Sequence, residues 1–253
     1  MRGKFLTDCG RVRPHNEDSG GVYRNKSGQL LAIIADGMGG HLAGDVASQM
    51  ATSMLEKEWK QLEEVHTPEQ VETWLAENIA NINKKIYDLS LEKDECKGMG
   101  TTIVIVVCLQ DFLTIAHIGD SRCYLYDKHG LKQVTEDHSL VNELVRSGEL
   151  TKEDAMYHPR KNVVLRALGT QERVKPDIKT LTWEENDRLL LCSDGLTDKV
   201  RDEELVPIIQ QTESMETIGN ELIRLANERG GEDNVSLVIV DYTSDKGEGD
   251  ISC

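Results

Sequence analysis

The sequence predicts an α+β fold in which antiparallel strands carry paired helices, and three observations predict it. Apolar, β-branched runs of strand length recur along the chain; two long stretches instead repeat their apolar residues every three or four positions; and the strands in the middle of the chain are joined by turns too short for a parallel crossover.

Residues 30–36 (LLAIIAD) form the first strong strand run, closed by the pair Asp36-Gly37. A helix is expected over residues 45–64. The next helix announces its own start: in Thr67-Pro68-Glu69-Gln70, Thr67 offers a capping hydroxyl, Pro68 takes the first helical position and Gln70 stands where a capping box needs it. From Val71 onward, Trp74, Leu75, Ile79, Ile82, Ile86 and Leu89 mark one buried helical face, so the two helices should pair antiparallel over a sheet.

Residues 101–109 (TTIVIVVCL) and 112–118 (FLTIAHI) flank Gln110-Asp111, a tight hairpin, and residues 121–126 (SRCYLY) continue the meander after Gly119-Asp120. The stretch 137–169 breaks the strand rhythm, with short amphipathic pieces at 140–145 and 152–156, and is read as a surface insertion. A strand at 187–193 (DRLLLCS), helices at 203–210 and 215–227 and a last strand at 235–241 (VSLVIVD) follow. Residues 243–253 are polar and glycine-bearing and are expected to be disordered. With no internal repeat or linker in view, residues 1–242 are expected to form one domain.

Composition narrows the function. With 29 Lys and Arg against 45 Asp and Glu, the formal net charge of −16 repels nucleic-acid backbones and anionic lipid while attracting divalent cations and cationic peptides. The six cysteines form no Cys-x-x-Cys pair, and Cys108 and Cys192 lie inside apolar runs, which suits reduced thiols in a cytoplasmic protein. No basic-then-apolar leader pattern is present, and no apolar stretch approaches the roughly 18 to 20 residues of a membrane span.

Four acidic clusters stand out: Asn16-Glu17-Asp18, Asp36-Gly37, Ser193-Asp194-Gly195 and Glu232-Asp233-Asn234. Each alone reads equally well as turn chemistry. Placed at strand ends, they can meet at one edge of an antiparallel arrangement, and hard divalent cations want such convergent carboxylates. A phosphate-loop reading of the glycine-rich run 37–44 fails, because Asp45-Val46 stands where Lys-Ser/Thr is required and Leu42 where a dinucleotide fingerprint needs glycine.

Arg13-x-x-Asn16-Glu17-Asp18, Ala35-Asp36-Gly37-Met38-Gly39-Gly40, Gly98-Met99-Gly100-Thr101-Thr102, Gly119-Asp120-Ser121-Arg122, Ser193-Asp194-Gly195 and Asp233-Asn234 occur in this order. Together they resemble the motifs of bacterial type 2C (PPM) metal-dependent serine/threonine protein phosphatases, in their short single-domain form. The resemblance runs from about Thr7 to Asp241 and implies a four-layer α/β/β/α sandwich, two central antiparallel sheets flanked by helix pairs.

It also implies a site. Asp36, Asp194 and Asp233 would hold one Mn²⁺ or Mg²⁺, Asp36 with the Gly37 carbonyl the second, and Asp18 and Glu17 would act through coordinated waters. Asp120 would help hold a third ion, with Asp194 shared. Two cations lower the pKa of a shared water and make it a nucleophile toward phosphorus. Arg13 would bind the substrate phosphate, its planar guanidinium meeting two oxygens at once. Met38 stands where the animal-type pattern has a histidine, which leaves His41 or a metal-bound water as the general acid. His138 opens the insertion, which the family uses as a flap, and its side chain is read as structural. The implied activity is hydrolysis of phosphoserine and phosphothreonine on proteins, reversing a eukaryote-like Ser/Thr kinase, by a cytoplasmic monomer. The alternatives are a metal-dependent hydrolase of small phosphate esters and a catalytically silent phosphoprotein-binding module.

Overall fold

Alternation of buried side chains sorts the strands into two sheets that share a core. The computed structural model describes residues 1–40 and 43–243. One sheet contains β1 (Arg2–Asp8), β7 (Arg122–Asp127), β8 (Gly130–Gln133), β10 (Arg188–Cys192) and β11 (Val235–Asp241), in the order β1-β11-β10-β7-β8. The other contains β2 (Asp18–Arg24), β3 (Leu30–Met38), β5 (Ile103–Cys108), β6 (Phe112–Ile118) and β9 (Asp177–Thr182), in that order, with the two-residue β4 (Gly100–Thr101) paired to the end of β3. Every pairing is antiparallel.

The unbroken apolar runs are explained by burial on both faces. Leu30, Ala32 and Ile34 of β3 join Val104, Val106, Leu189, Leu191, Val238 and Val240 in the layer between the sheets. The alternate residues Leu31 and Ile33, with Ile103, Ile105 and Val107, lie under α1 (Ala43–Gln61) and α2 (Pro68–Glu92). On the outer face of the first sheet, Leu190, Cys192, Leu237 and Ile239 pack with Leu205 of α6 (Asp202–Ile209) and with Leu222, Ile223 and Ala226 of α7 (Met215–Glu228). The result is the expected four-layer α/β/β/α sandwich. Among the described residues, no helix is long and apolar enough to cross a membrane.

The capping box at Thr67 forms as predicted, with the Gln70 amide N–H donating to Thr67 Oγ1 at 3.3 Å and the Thr67 N–H donating to Gln70 Oε1 at 3.3 Å. The hairpin at Gln110-Asp111 closes through Leu109 N–H to the Phe112 carbonyl at 2.9 Å. α1 ends earlier than the expected residue 64, because the Leu62 carbonyl accepts from Lys26 N–H at 3.2 Å and draws the chain toward the β2–β3 turn. β3 continues two residues beyond Asp36, because Gly37 and Met38 pair with Thr101 and Gly100.

Between β8 and β9 the chain leaves the sheets, through α3 (Leu140–Arg146) and α4 (Lys152–Met156), neither of which buries a residue. The two bridges Ser139–Val164 and Thr101–Leu168 pin this excursion at its base. The tail expected to be disordered lies outside the described residues, apart from Thr243, whose carbonyl accepts from the Met1 ammonium at 3.2 Å.

Candidate metal centre

The predicted acids converge where the two sheets meet. Asp18 opens β2 directly across from Asp36 on β3. Asp194 opens the short α5 (Asp194–Thr197) immediately after β10, and Asp233 precedes β11, the strand beside β10. Asp120 sits in the turn between β6 and β7.

Each acid is held by its backbone. The Asp36 N–H donates to Thr102 Oγ1 at 3.1 Å, and its carbonyl accepts from Thr101 Oγ1 and from the Thr102 N–H, both at 2.8 Å. Ser193 ties one sheet to the other: its hydroxyl donates to Asp18 Oδ2 at 2.8 Å, while its N–H donates to the Ser236 carbonyl at 3.0 Å. Asn234 organises the approach loop, accepting the Glu17 N–H at 2.8 Å and donating to the carbonyls of Cys9 at 2.8 Å and His15 at 2.9 Å.

Both Asp-Gly pairs need glycine for space. A Cβ on Gly37 would stand 2.2 Å from the Gly44 carbonyl oxygen, where α1 starts, and one on Gly195 would stand 2.0 Å from the Asn234 carbonyl oxygen. The missing side chains let a neighbouring backbone pass against each acid.

The charge is concentrated, and cationic side chains reach it at the rim, where Arg13 pairs with Asp233 and Lys161 with Asp198. Burial first, then the neighbouring charges of Asp18, Asp194, Asp120 and Asp233, holds the Asp36 carboxyl well above the usual carboxylate range. Asp194 is raised in the same way, by burial and then by Asp120, Asp198, Asp233 and Asp18. Burial lifts Asp18 to about 6 against opposing serine hydroxyls, and lifts Asp120 to about 6 with Asp137 adding to it. Glu17, at the rim, is also raised, mainly by burial. Asp18 Oδ1 and Asp194 Oδ1 are buried without a hydrogen-bond partner. A set of hard oxygen donors that repel one another, two of them left unsatisfied, fits divalent cations of the Mg²⁺ or Mn²⁺ kind.

Arg13 lies beside this centre with its side chain 48% exposed and its Nη2 2.8 Å from Asp233 Oδ2. The structure therefore brings Arg13, Glu17, Asp18, Asp36, Gly37, Asp120, Asp194 and Asp233 into one region, while His41 lies outside the described residues. Sequence reasoning missed Asp198, which caps the end of α5 and adds its charge to Asp120 and Asp194. Its spacing of four from Asp194 places it one helical turn on, a signal that an ordinary solvated acid would give equally. Lys161 of the excursion pairs with Asp198, bringing that segment against the centre.

A family description, protein phosphatase 2C, matches residues 9–234. The serine/threonine phosphatase stp of Listeria monocytogenes serotype 4b is 48% identical over 241 residues, 95% of this chain and 96% of that protein. The crystal structure of serine/threonine phosphatase Stp1 from Staphylococcus aureus superposes with a TM-score of 0.90 at 39% identity, covering 94% of each chain. The catalytic domain of the serine threonine protein phosphatase PstP, solved in complex with two manganese ions, gives a TM-score of 0.83 at 36% identity over 96% of this chain and 98% of that one.

Proposed function

From its membership of the protein phosphatase 2C family, we propose that this chain removes phosphate from phosphoserine and phosphothreonine in proteins, using two Mn²⁺ or Mg²⁺ ions. The observation that carries the reading is the meeting of Asp18, Asp36, Asp194 and Asp233 between the sheets, with two buried carboxylate oxygens left unpaired.

Asp36, Asp194 and Asp233 would hold one ion, and Asp36 with the Gly37 carbonyl the other; Asp18 and Glu17 would contribute through water. Asp120 would help hold a third, with Asp194 shared. Bound there, the cations supply Lewis-acid activation of water and neutralise charge on the phosphoryl group. The chain itself does the positioning. Thr101 and Thr102 fix the Asp36 peptide, Ser193 fixes Asp18, and Asn234 fixes the loop that presents Arg13. The Arg13 guanidinium would bind the substrate phosphate from the rim. Met38 has no proton to give the departing oxygen, which leaves His41, three residues on, or a metal-bound water as the candidate general acid.

We read residues 1–242 as one phosphatase domain and residues 137–169 as its flap, with the Lys161–Asp198 pair in support. The protein acts on phosphorylated proteins; reversal of a Ser/Thr kinase, a monomeric state and a cytoplasmic location complete the proposal. The test is phosphate release from a phosphothreonine peptide with chelator, Mg²⁺ or Mn²⁺, in wild type and Asp36→Asn. Metal-dependent release confined to wild type is expected; release by Asp36→Asn at saturating Mn²⁺ would refute the assignment.

A further inference from the structure

Outside the acidic centre, three side chains that can bind metal come together: His117 near the end of β6, His138 at the head of the excursion and Asp177 at the start of β9, their ligand atoms all within 4.8 Å of one another. The contacts of His138 and Asp177 argue against a metal site. His117 Nε2 lies 2.8 Å from the Glu136 carbonyl oxygen, which only an N–H can meet, so His117 keeps Nδ1 bare. His138 Nδ1 accepts the Gly119 N–H at 3.2 Å, so in the neutral ring the proton sits on Nε2, the atom a metal would need bare. Burial, and then His117, keeps the His138 pKa below its ordinary value, which favours the neutral ring. That Nε2 stands 3.3 Å from Asp177 Oδ2 without meeting the geometry of a hydrogen bond, and the other oxygen of Asp177 is held by Arg166 at 3.0 Å. The guanidinium would repel a bound cation, and the two rings, stacked 4.6 Å apart at 20°, direct their nitrogen lone pairs along nearly parallel planes rather than toward one point.

What His138 holds is the backbone of Gly119. Besides the ring contact, the His138 N–H donates to the Gly119 carbonyl at 2.9 Å, and the His138 carbonyl accepts from Leu165 N–H at 2.7 Å, near the far end of the excursion. Gly119 has φ +108°, and a Cβ there would lie 2.6 Å from Thr102 Cβ, so only glycine fits this turn, and its N–H and carbonyl are both held by His138. The next residue is Asp120. His138, 5% exposed, therefore links the turn that carries Asp120 to the excursion: its ring and its N–H hold Gly119, and its carbonyl holds Leu165 near the excursion's far end.

We propose that His138 is a positioning residue for Asp120: by accepting the Gly119 N–H it sets the direction from which the Asp120 carboxylate enters the metal centre, and it couples that direction to the seating of residues 137–169. The inference rests on the reading of Asp120 as a ligand of a third cation. Partners of this kind, one step removed from a ligand, typically change metal affinity by about 10- to 100-fold.

Two variants separate the arms of the ring. Asn places an acceptor where Nδ1 stands and loses the reach to Asp177; Gln keeps that reach and leaves the Gly119 N–H without its partner. Mn²⁺ binding to the full chain, followed by electron paramagnetic resonance, should show the weakest-bound ion abolished in Asp120→Asn, weakened about tenfold or more in His138→Gln, and within about threefold of wild type in His138→Asn. The tighter ions should be unchanged in all three. Asp120→Asn affected with His138→Gln unaffected would overturn the inference alone, as would His138→Asn falling as far as His138→Gln. Unchanged binding in Asp120→Asn would remove the reading beneath it and the inference together. Should His138→Gln not fold, ¹⁵N shifts of the wild-type ring decide: protonated Nε2 with bare Nδ1 is expected, and protonated Nδ1 overturns the proposal.

Discussion

The metal centre and the excursion of residues 137–169 stand side by side and are built on opposite terms. The centre is half-buried, charged and fixed by backbone crossings at Gly37 and Gly195 and by Ser193 and Asn234, each of which bridges distant parts of the chain. The excursion buries nothing in its two helices; it is anchored at its base by His138 and Leu168, and its outer part meets the body through the polar pairs Lys161 with Asp198 and Tyr157 Oη with Arg201. Rigidity is concentrated where ions must be held to a fixed geometry, and the two helices of the excursion, which bury no residue, contribute little to stability.

The sharpest break of this contrast is Gly195→Ala, which drives a methyl group into the Asn234 carbonyl and should cost about 4 kcal/mol or more, read from the denaturant midpoint. An Ala variant with the wild-type midpoint would show that the crossing is not tight.

Next in size is the response to pH without metal. Asp18 and Asp120 titrate at about 6 in the folded chain, above the ~3.9 of an unfolded aspartate, so the folded state binds more protons across that window. Their contribution is fully present below pH about 4 and is lost as pH rises through about 6. Chelated protein should therefore melt roughly 5 °C higher at pH 5 than at pH 7, and Mn²⁺ should stabilise far more at pH 7. A chelated melting point that climbs over this range would contradict the picture of self-repelling acids.

Arg13→Ala comes third. Removing a half-exposed guanidinium should raise KM for a phosphopeptide roughly tenfold with a smaller change in kcat, as the proposed phosphate-binding role requires. An equal fall in kcat and kcat/KM would place its contribution in the transition state instead. The smallest effect belongs to Lys161→Ala in the excursion: stability within about 0.5 kcal/mol of wild type, and phosphopeptide KM shifted about two- to threefold. A large loss of stability there would erase the distinction between the two regions.

The centre was legible because Asp36 and Asp194 each close an apolar run and carry a glycine next in line, a local pattern with a structural cause. The buried strands were legible for the same reason, since β3, β5 and β11 are apolar on both faces. The edge strands were not. β1 (RGKFLTD) and β9 (DIKTLT) each pair with one neighbour and expose part of their length, so their apolar content is too thin to mark them. Nor could the sequence display Asn234 as the anchor of the Arg13 loop, because its partners Cys9, His15 and Glu17 lie more than 200 residues away along the chain. His138 was read as structural, and its grip on Gly119 emerges only when residues 19 positions apart are seen together.

The sheet order carries a consequence for synthesis. β11, the last strand in order among the described residues, does not dock at an edge but fills the gap between β1 and β10. Until it emerges, β1 has no partner, Asp233 has no fixed place and Arg13 has nothing to lean on. A ribosome-bound chain that lacks β11 cannot hold a half-built catalyst: activity should switch on in a single step when β11 slides home, and products truncated before it should be inert, however much of the core they retain.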